Sequence, residues 1–224
     1  MQEHFILEKQ NLFRKPFIFS NQFYFMEFKK DKEGYILDKE LNGLDKFAIN
    51  FVKVLNKLKI NYVIISGYVS ILLGRSRASE DIDMFIEELT YEDFLKLWAE
   101  LLNKFKCLNT EDSKEAYEDF LKVGDSIRFS LPDSPIPNME IEFPNSDNAK
   151  WILLNKIKVI LNQNVLEISK LEQQIAYKLV LGSEKDIEDA KYIYDLMIKE
   201  LDLKLLFDLL RRFNKLKEFK KYIE

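Results

Sequence analysis

The stretch Tyr62–Ile86, YVIISGYVSILLGRSRASEDIDMFI, holds the residue types and spacings that phosphate chemistry needs. Tyr62–Ile65 is a short apolar strand running into Ser66-Gly67, and a helix follows over Val69–Leu73. Exposed N–H groups at such a helix start can hold a phosphate, and a glycine there lets the backbone approach it closely. Arg75 and Arg77 come next, and then a strand over Asp81–Ile86. Residues i and i+2 of a strand share a face, so Asp81 and Asp83 point the same way. Two carboxylates so close repel unless a cation lies between them or one is protonated. Mg²⁺ fits, because it favours a few carboxylate oxygens together with substrate phosphates. The strand Met139–Phe143 puts a further pair, Glu140 and Glu142, on one face. Either can complete a three-carboxylate, two-metal centre for in-line phosphoryl displacement.

The composition leaves few competing chemistries. The 224 residues include one His and one Cys. Cys107 alone founds no disulfide framework, and His4 with Cys107 falls short of a Cys/His zinc site. A Ser-His-Asp or Cys-His centre would have to use His4, in an N-terminal segment poorly suited to building a site. Carboxylates, lysines, arginines and a hard metal are left. Hydrophobic residues make up 47% and charged residues 32%, enough apolar side chain for a globular core. Apolar runs stay short of the ~18 residues of a membrane helix, and MQEHFILEKQ lacks the pattern of a signal peptide, so a soluble cytoplasmic protein is expected. The formal charge of −4 argues against a protein that coats nucleic acid but leaves room for a local basic groove.

The elements that must position these residues follow from periodicity. The aromatic-rich N-terminal region predicts a strand at 22–28, a charged turn ending at Gly34, and a return strand over Tyr35–Leu41. Apolar residues at helical spacing predict a helix over Asp45–Lys57. Thr90, followed by Glu92 and Asp93, caps a helix reaching about Phe105. A second acidic helix is expected over Ser113–Lys122, ending at Gly124. Strands are expected over Ser126–Ser130 and Met139–Phe143. Lys156–Leu161 and Val165–Ile168 form a hairpin about Asn162-Gln163-Asn164. From Ser169 the pattern turns helical, at 169–181, 184–200 and 202–222. That change sets the expected boundary between an α/β domain, 1–168, and a helical domain, 169–224.

The order of these motifs resembles the nucleotidyltransferase superfamily of the DNA polymerase β type, and more closely its AbiEii-like (DUF1814) group, which includes toxins of toxin–antitoxin systems. The matching residues are Ser66-Gly67-Tyr68, Gly74-Arg75-Ser76-Arg77, Ser79-Glu80-Asp81-Ile82-Asp83, Glu140/Glu142, and downstream IAYKLVLGSEKDIEDA with Lys178, Lys185, Asp186 and Asp189. The resemblance spans roughly residues 45–200. It implies an α+β nucleotidyltransferase fold followed by a small helical bundle. It also implies that Asp81 and Asp83 hold two Mg²⁺ (or Mn²⁺) ions and that Glu142 or Glu140 holds the one that activates an acceptor hydroxyl. Ser66, Gly67, Tyr68, Arg75, Arg77, Lys178 and Lys185 would serve the nucleotide. The implied reaction is attack of a hydroxyl on the α-phosphorus of an NTP such as ATP, with pyrophosphate leaving. The acceptor would be RNA, a protein or a small molecule, and an antitoxin would be a partner. The sequence departs from the superfamily pattern at Tyr68, where a small residue is usual, and in carrying Glu for the third Asp.

Each feature also has an ordinary structural reading. Asp-x-Asp is often a solvated strand start, and Glu140 and Glu142 can form the wet face of an antiparallel strand. Lys178 can be a solvated residue of an amphipathic helix. Asp186 and Asp189 can favour a helix N-terminus through its dipole, and the basic tail from Arg211 to Lys221 can favour helix C-termini. Binding without catalysis, and a pure interaction module, remain open on the same residues.

Overall fold

The computed structural model describes residues 12–19, 22–31 and 34–224, with side chains at 29, 30 and from 34 onward. His4 and the aromatic side chains between Phe17 and Phe28 lie outside the described residues. The strands are β1 (Leu12–Phe19), β2 (Gln22–Asp31), β3 (Gly34–Asp38), β4 (Tyr62–Ile64), β5 (Asp81–Ile86), β6 (Lys106–Cys107), β7 (Ile127–Leu131), β8 (Ser134–Glu142), β9 (Ile157–Leu161) and β10 (Asn164–Ile168). The helices are α1 (Gly43–Leu58), α2 (Gly67–Leu72), α3 (Tyr91–Leu101), α4 (Ser113–Glu115), α5 (Asp147–Leu154), α6 (Leu171–Leu181), α7 (Glu184–Met197), α8 (Leu203–Arg212) and α9 (Leu216–Tyr222). The chain divides into two compact units, residues 1–40 with 158–166, and residues 41–157 with 167–224.

In the first unit β2 pairs antiparallel with both β1 and β3, and β3 runs parallel to β9. Gly34 faces Lys158, and a Cβ there would lie 1.8 Å from the Lys158 carbonyl oxygen, so this pairing tolerates only glycine. The β9–β10 turn has positive φ at both central residues, 44° at Asn162 and 71° at Gln163. That is the backbone twist a two-residue hairpin favours, and asparagine accepts it readily. The Asn162 amide also bonds both backbone groups of Lys39.

In the second unit the strand order is β10 end, β4, β5, β8, β7, β6. β4 and β5 are antiparallel, β5 and β8 parallel, and β8, β7 and β6 antiparallel. One face of this mixed sheet buries Ile82, Met84, Ile127, Phe129, Met139 and Ile141, all at 0% exposure. Phe51 of α1 and Trp98 of α3 close on Phe129 with ring centroids 6.0 and 5.7 Å away. Burying side chains of this size contributes about 1.5–3 kcal/mol each, which anchors the strands from behind. The opposite face packs Val63 and Phe85 against Ala149, Ile152 and Leu153 of α5, and Asp81, Asp83, Glu140 and Glu142 are half-buried.

Helix ends account for the differences from the periodicity. The expected helix over 202–222 is broken into α8 and α9 by Asn214, whose φ of 55° ends a helical run. α3 stops at Leu101, and Phe105 instead packs edge-on to Phe47. The segment expected as one helix over 113–122 is α4 followed by a wider turn (Ala116–Phe120) and a tighter one (Leu121–Val123), stopped at Gly124 with φ 90°. α5 and β6 carry too few periodic residues to stand out in the sequence.

Candidate active site

The site is built on β4, β5 and β8. Two residues beyond the end of β4 stands Ser66, whose φ of 60° and ψ of −136° suit glycine far better than a side-chain-bearing residue. Such backbone strain concentrates at ligand-binding turns. The Ser66 side chain hydrogen-bonds Asp83. Gly67 is buried, and the Arg77 guanidinium covers it so closely that a Cβ would lie 2.9 Å from Nη2. Here the missing side chain makes room for a cation.

Asp81 and Asp83 project from the same face of β5. Parallel register sets Asp83 opposite Glu140, and Phe85 opposite Glu142. Carboxylate oxygens of Asp81, Asp83 and Glu140 all lie within 4.8 Å of one another. Glu142 stands one pair further along the strand and is outside that cluster. Three hard oxygen donors at this spacing suit Mg²⁺ or Mn²⁺. Burial, then the Asp81 and Glu140 charges, push the Asp83 carboxyl up to about 6, against the Ser66 hydrogen bond and the charge of Lys178. Burial, then Glu140 and Asp83, push Glu142 up to about 7. This excess of negative charge is what a bound cation would relieve, so the donor set fits such an ion. Asp81 is held by Ser79, whose hydroxyl lies 3.1 Å from Oδ1.

Glu140 is different from the other two. Ser126 donates to its Oε1 at 2.6 Å, and Arg128 donates from Nε to its Oε2 at 2.6 Å. Burial alone would raise its pKa, but these two contacts outweigh burial and hold it below the usual glutamate value. Neither Ser126 nor Arg128 stands out in the sequence. Their role depends on the β7–β8 register, in which Arg128 lies directly opposite Glu140.

A buried charge cluster ties α6 and α7 to the loop between α2 and β5. Asp189 is fully buried and pairs with Arg75, Arg77 and Lys178, the last at 2.6 Å. Asp186 takes Lys178 at 3.1 Å, while Glu188 and the Lys185 carbonyl take Arg75 at 2.6 and 3.1 Å. Burial, then Arg75, lower the Arg77 pKa against the pull of Asp186, Asp81 and Asp83, so this cation lies within electrostatic reach of the carboxylates. Tyr192 adds a hydrogen bond from α7 to the Leu73 carbonyl at 3.0 Å.

The remaining expected site residues have definite surroundings. Lys178 is not a solvated helix residue; it is 1% exposed and engaged by two aspartates. Lys185 is exposed and contributes its carbonyl to Arg75. The Tyr68 side chain, expected at the nucleotide, is fully buried and donates to Asp45 Oδ1 at 2.8 Å. Asp45 in turn caps α1 together with Asn42. A large residue is tolerated after the motif glycine because its ring fills the core beneath the turn. In the basic tail, Arg211 pairs with Asp208, Lys215 with Glu218, and Lys221 lies over the Tyr222 ring.

No family model matches the chain, and no curated protein matches its sequence. In structure it is similar to an antigenic nucleotidyltransferase-like protein from Paracoccidioides brasiliensis, with a TM-score of 0.51 and 16% identity over 80% of this chain and 90% of that one. That likeness defines the fold as a nucleotidyltransferase-type α/β fold, with a mixed sheet flanked by helices. The lincosamide antibiotic adenylyltransferase LnuA, bound to lincomycin, aligns with a TM-score of 0.46 and 14% identity over 70% of this chain and 99% of that one. A tRNA nucleotidyltransferase complexed with a primer tRNA and an ATP analogue aligns with a TM-score of 0.31 and 13% identity over 77% and 60%. Among the described residues, no helix is long and apolar enough to cross a membrane.

Proposed function

We propose that this protein is a divalent-metal-dependent nucleotidyltransferase, moving an NMP from an NTP to an acceptor hydroxyl. The reading rests above all on one observation: the oxygens of Asp81, Asp83 and Glu140 cluster within 4.8 Å beside the strained Ser66–Gly67 turn. Asp81, Asp83 and Glu140 would hold Mg²⁺ or Mn²⁺, which would draw charge from the triphosphate and acidify the acceptor hydroxyl. Ser66 and the backbone at Gly67 receive the phosphates, and Arg77 supports that turn from its seat over Gly67. Lys178 and Asp189 hold Arg75 and Arg77 in place. The protein acts by positioning and charge neutralisation, with no side chain required as a proton shuttle. The motif order favours the AbiEii-like group, with the helices from residue 169 onward as the second domain, RNA or protein as acceptor, and a toxin role with an antitoxin partner.

A second reading, nucleotide or RNA binding without transfer, draws on the fact that both oxygens of Glu140 already have partners. For either reading, Mg²⁺ and NTP together should raise the melting temperature by several degrees. Saturation at a hundredfold over Kd contributes about 2.7 kcal/mol. Asp81→Ala with Asp83→Ala should remove the shift. Absence of a shift in the unaltered protein with every NTP would sink the transferase reading and nucleotide binding alike, leaving only RNA binding.

A further inference from the structure

Asp83, Glu140 and Arg128 form one row across three adjacent strands. Asp83 of β5 faces Glu140 of β8 in parallel register, and Glu140 faces Arg128 of β7 in antiparallel register. Side chains directly opposite on one face are the closest neighbours a sheet offers. The guanidinium therefore lies on the far side of Glu140 from Asp83, with Nε 2.6 Å from Oε2. The Glu140 side chain is 22% exposed and Arg128 is 52% exposed, so the cation reaches in from solvent to a sheltered carboxylate. Asp81 and Asp83 also raise the Arg128 pKa, after its larger hydrogen-bond and charge interactions with Glu140. The second Glu140 oxygen is taken by Ser126.

Each oxygen of the third carboxylate thus already accepts one hydrogen bond, from Ser126 and from Arg128. Among the described residues neither Asp81 nor Asp83 has a cation in ion-pair contact; Arg77 and Lys178 act on them only at longer range. Resting on the metal-dependent reading above, we propose that Arg128 is a stand-in cation, which a divalent ion must displace from Glu140 before all three carboxylates can bind it. Arg128 thereby weakens metal binding when no nucleotide is present. The displaced guanidinium, anchored one strand away, is then free to meet an anion, and the triphosphate is the anion the site receives. One exchange, metal for arginine at Glu140 and phosphate for carboxylate at Arg128, makes each ligand favour the other. Coupling of this kind is reciprocal between metal and polyphosphate.

The test measures Mn²⁺ binding without nucleotide by electron paramagnetic resonance and calorimetry, then repeats it with inorganic tripolyphosphate. Arg128→Gln should bind Mn²⁺ alone roughly five- to tenfold tighter than the unaltered protein, the size expected for release of a half-exposed charged pair. The same variant should lose most of the mutual enhancement between Mn²⁺ and tripolyphosphate. Arg128→Lys, which keeps the charge, should bind Mn²⁺ nearly as weakly as the unaltered protein. Asp83→Asn should abolish tight binding in every background. Equal or weaker Mn²⁺ binding by Arg128→Gln, with Asp83→Asn still abolishing it, overturns the stand-in cation and leaves the metal site intact. Failure of the unaltered protein and Arg128→Gln alike to bind Mn²⁺ overturns both the inference and the metal-dependent reading.

Discussion

Asp83→Asn is expected to eliminate nucleotidyl transfer while making the metal-free protein more stable above pH 6. Loss of a charge-bearing metal ligand at the reacting centre should cost on the order of a thousandfold in rate. The stability gain follows from the same burial that makes the residue useful. The Asp83 carboxyl is pushed up from an ordinary 3.8 to about 6. A raised carboxyl pKa means that the folded protein holds the proton more tightly than the unfolded chain. Stability is then greatest below about pH 4, falls as pH rises between 4 and 6, and stays lowered above that. A shift of about two pH units corresponds to roughly 3 kcal/mol, an upper figure for the penalty the asparagine removes. Glu142, raised to about 7, moves stability in the same direction toward neutral pH. Urea unfolding from pH 4 to pH 8, without metal, reads this directly. The difference between Asp83→Asn and the unaltered protein should widen through pH 6. A constant difference would contradict the crowding of charge at this site.

Asp189→Ala is expected to cost about 3–5 kcal/mol of stability, the usual result of removing one partner from a buried ion pair. Asp189 is 0% exposed and Lys178 1% exposed, so water cannot replace the lost carboxylate. Lys178 would keep Asp186, and Arg75 would keep Glu188 and the Lys185 carbonyl, while Arg77 would lose its ion pair with Asp189. For a chain of this length the loss corresponds to a fall of roughly 10 °C in melting temperature. Asp186→Ala should cost less, because its side chain is 19% exposed and the Lys178–Asp189 pair survives. Thermal unfolding of both variants gives the comparison. Near-equal, small losses would mean that the cluster is not what ties α6 and α7 to the loop carrying Arg75 and Arg77.

Local pattern carried the reading of the sequence furthest where neighbours in the chain decide the structure. The strand Asp81–Ile86 lies where alternation sets it, the turn at Ser66-Gly67 follows an apolar run, and the hairpin about Asn162 follows its polar residues. Legibility failed where the deciding partner is distant. Which glutamate joins Asp81 and Asp83 depends on the β5–β8 register, and a slip of two residues would exchange Glu140 for Glu142. Arg128 acquires its role only through β7–β8 pairing, 12 residues away in the chain. Tyr68 reads as a misfit beside a phosphate turn until its hydroxyl is seen to meet Asp45, 23 residues upstream. Lys178 looks like a surface residue of a helix because nothing local reveals that α7 covers it with Asp186 and Asp189.

Transfer of a nucleotide by the Asp81–Asp83–Glu140 centre is read by following a label from the α-phosphate. The protein is incubated with each α-³²P-labelled NTP, Mg²⁺, and total cellular RNA or lysate. Label covalently attached to an acceptor is expected with at least one NTP, and none with Asp83→Asn. Melting-temperature evidence of MgNTP binding together with no labelled acceptor for any NTP would contradict it.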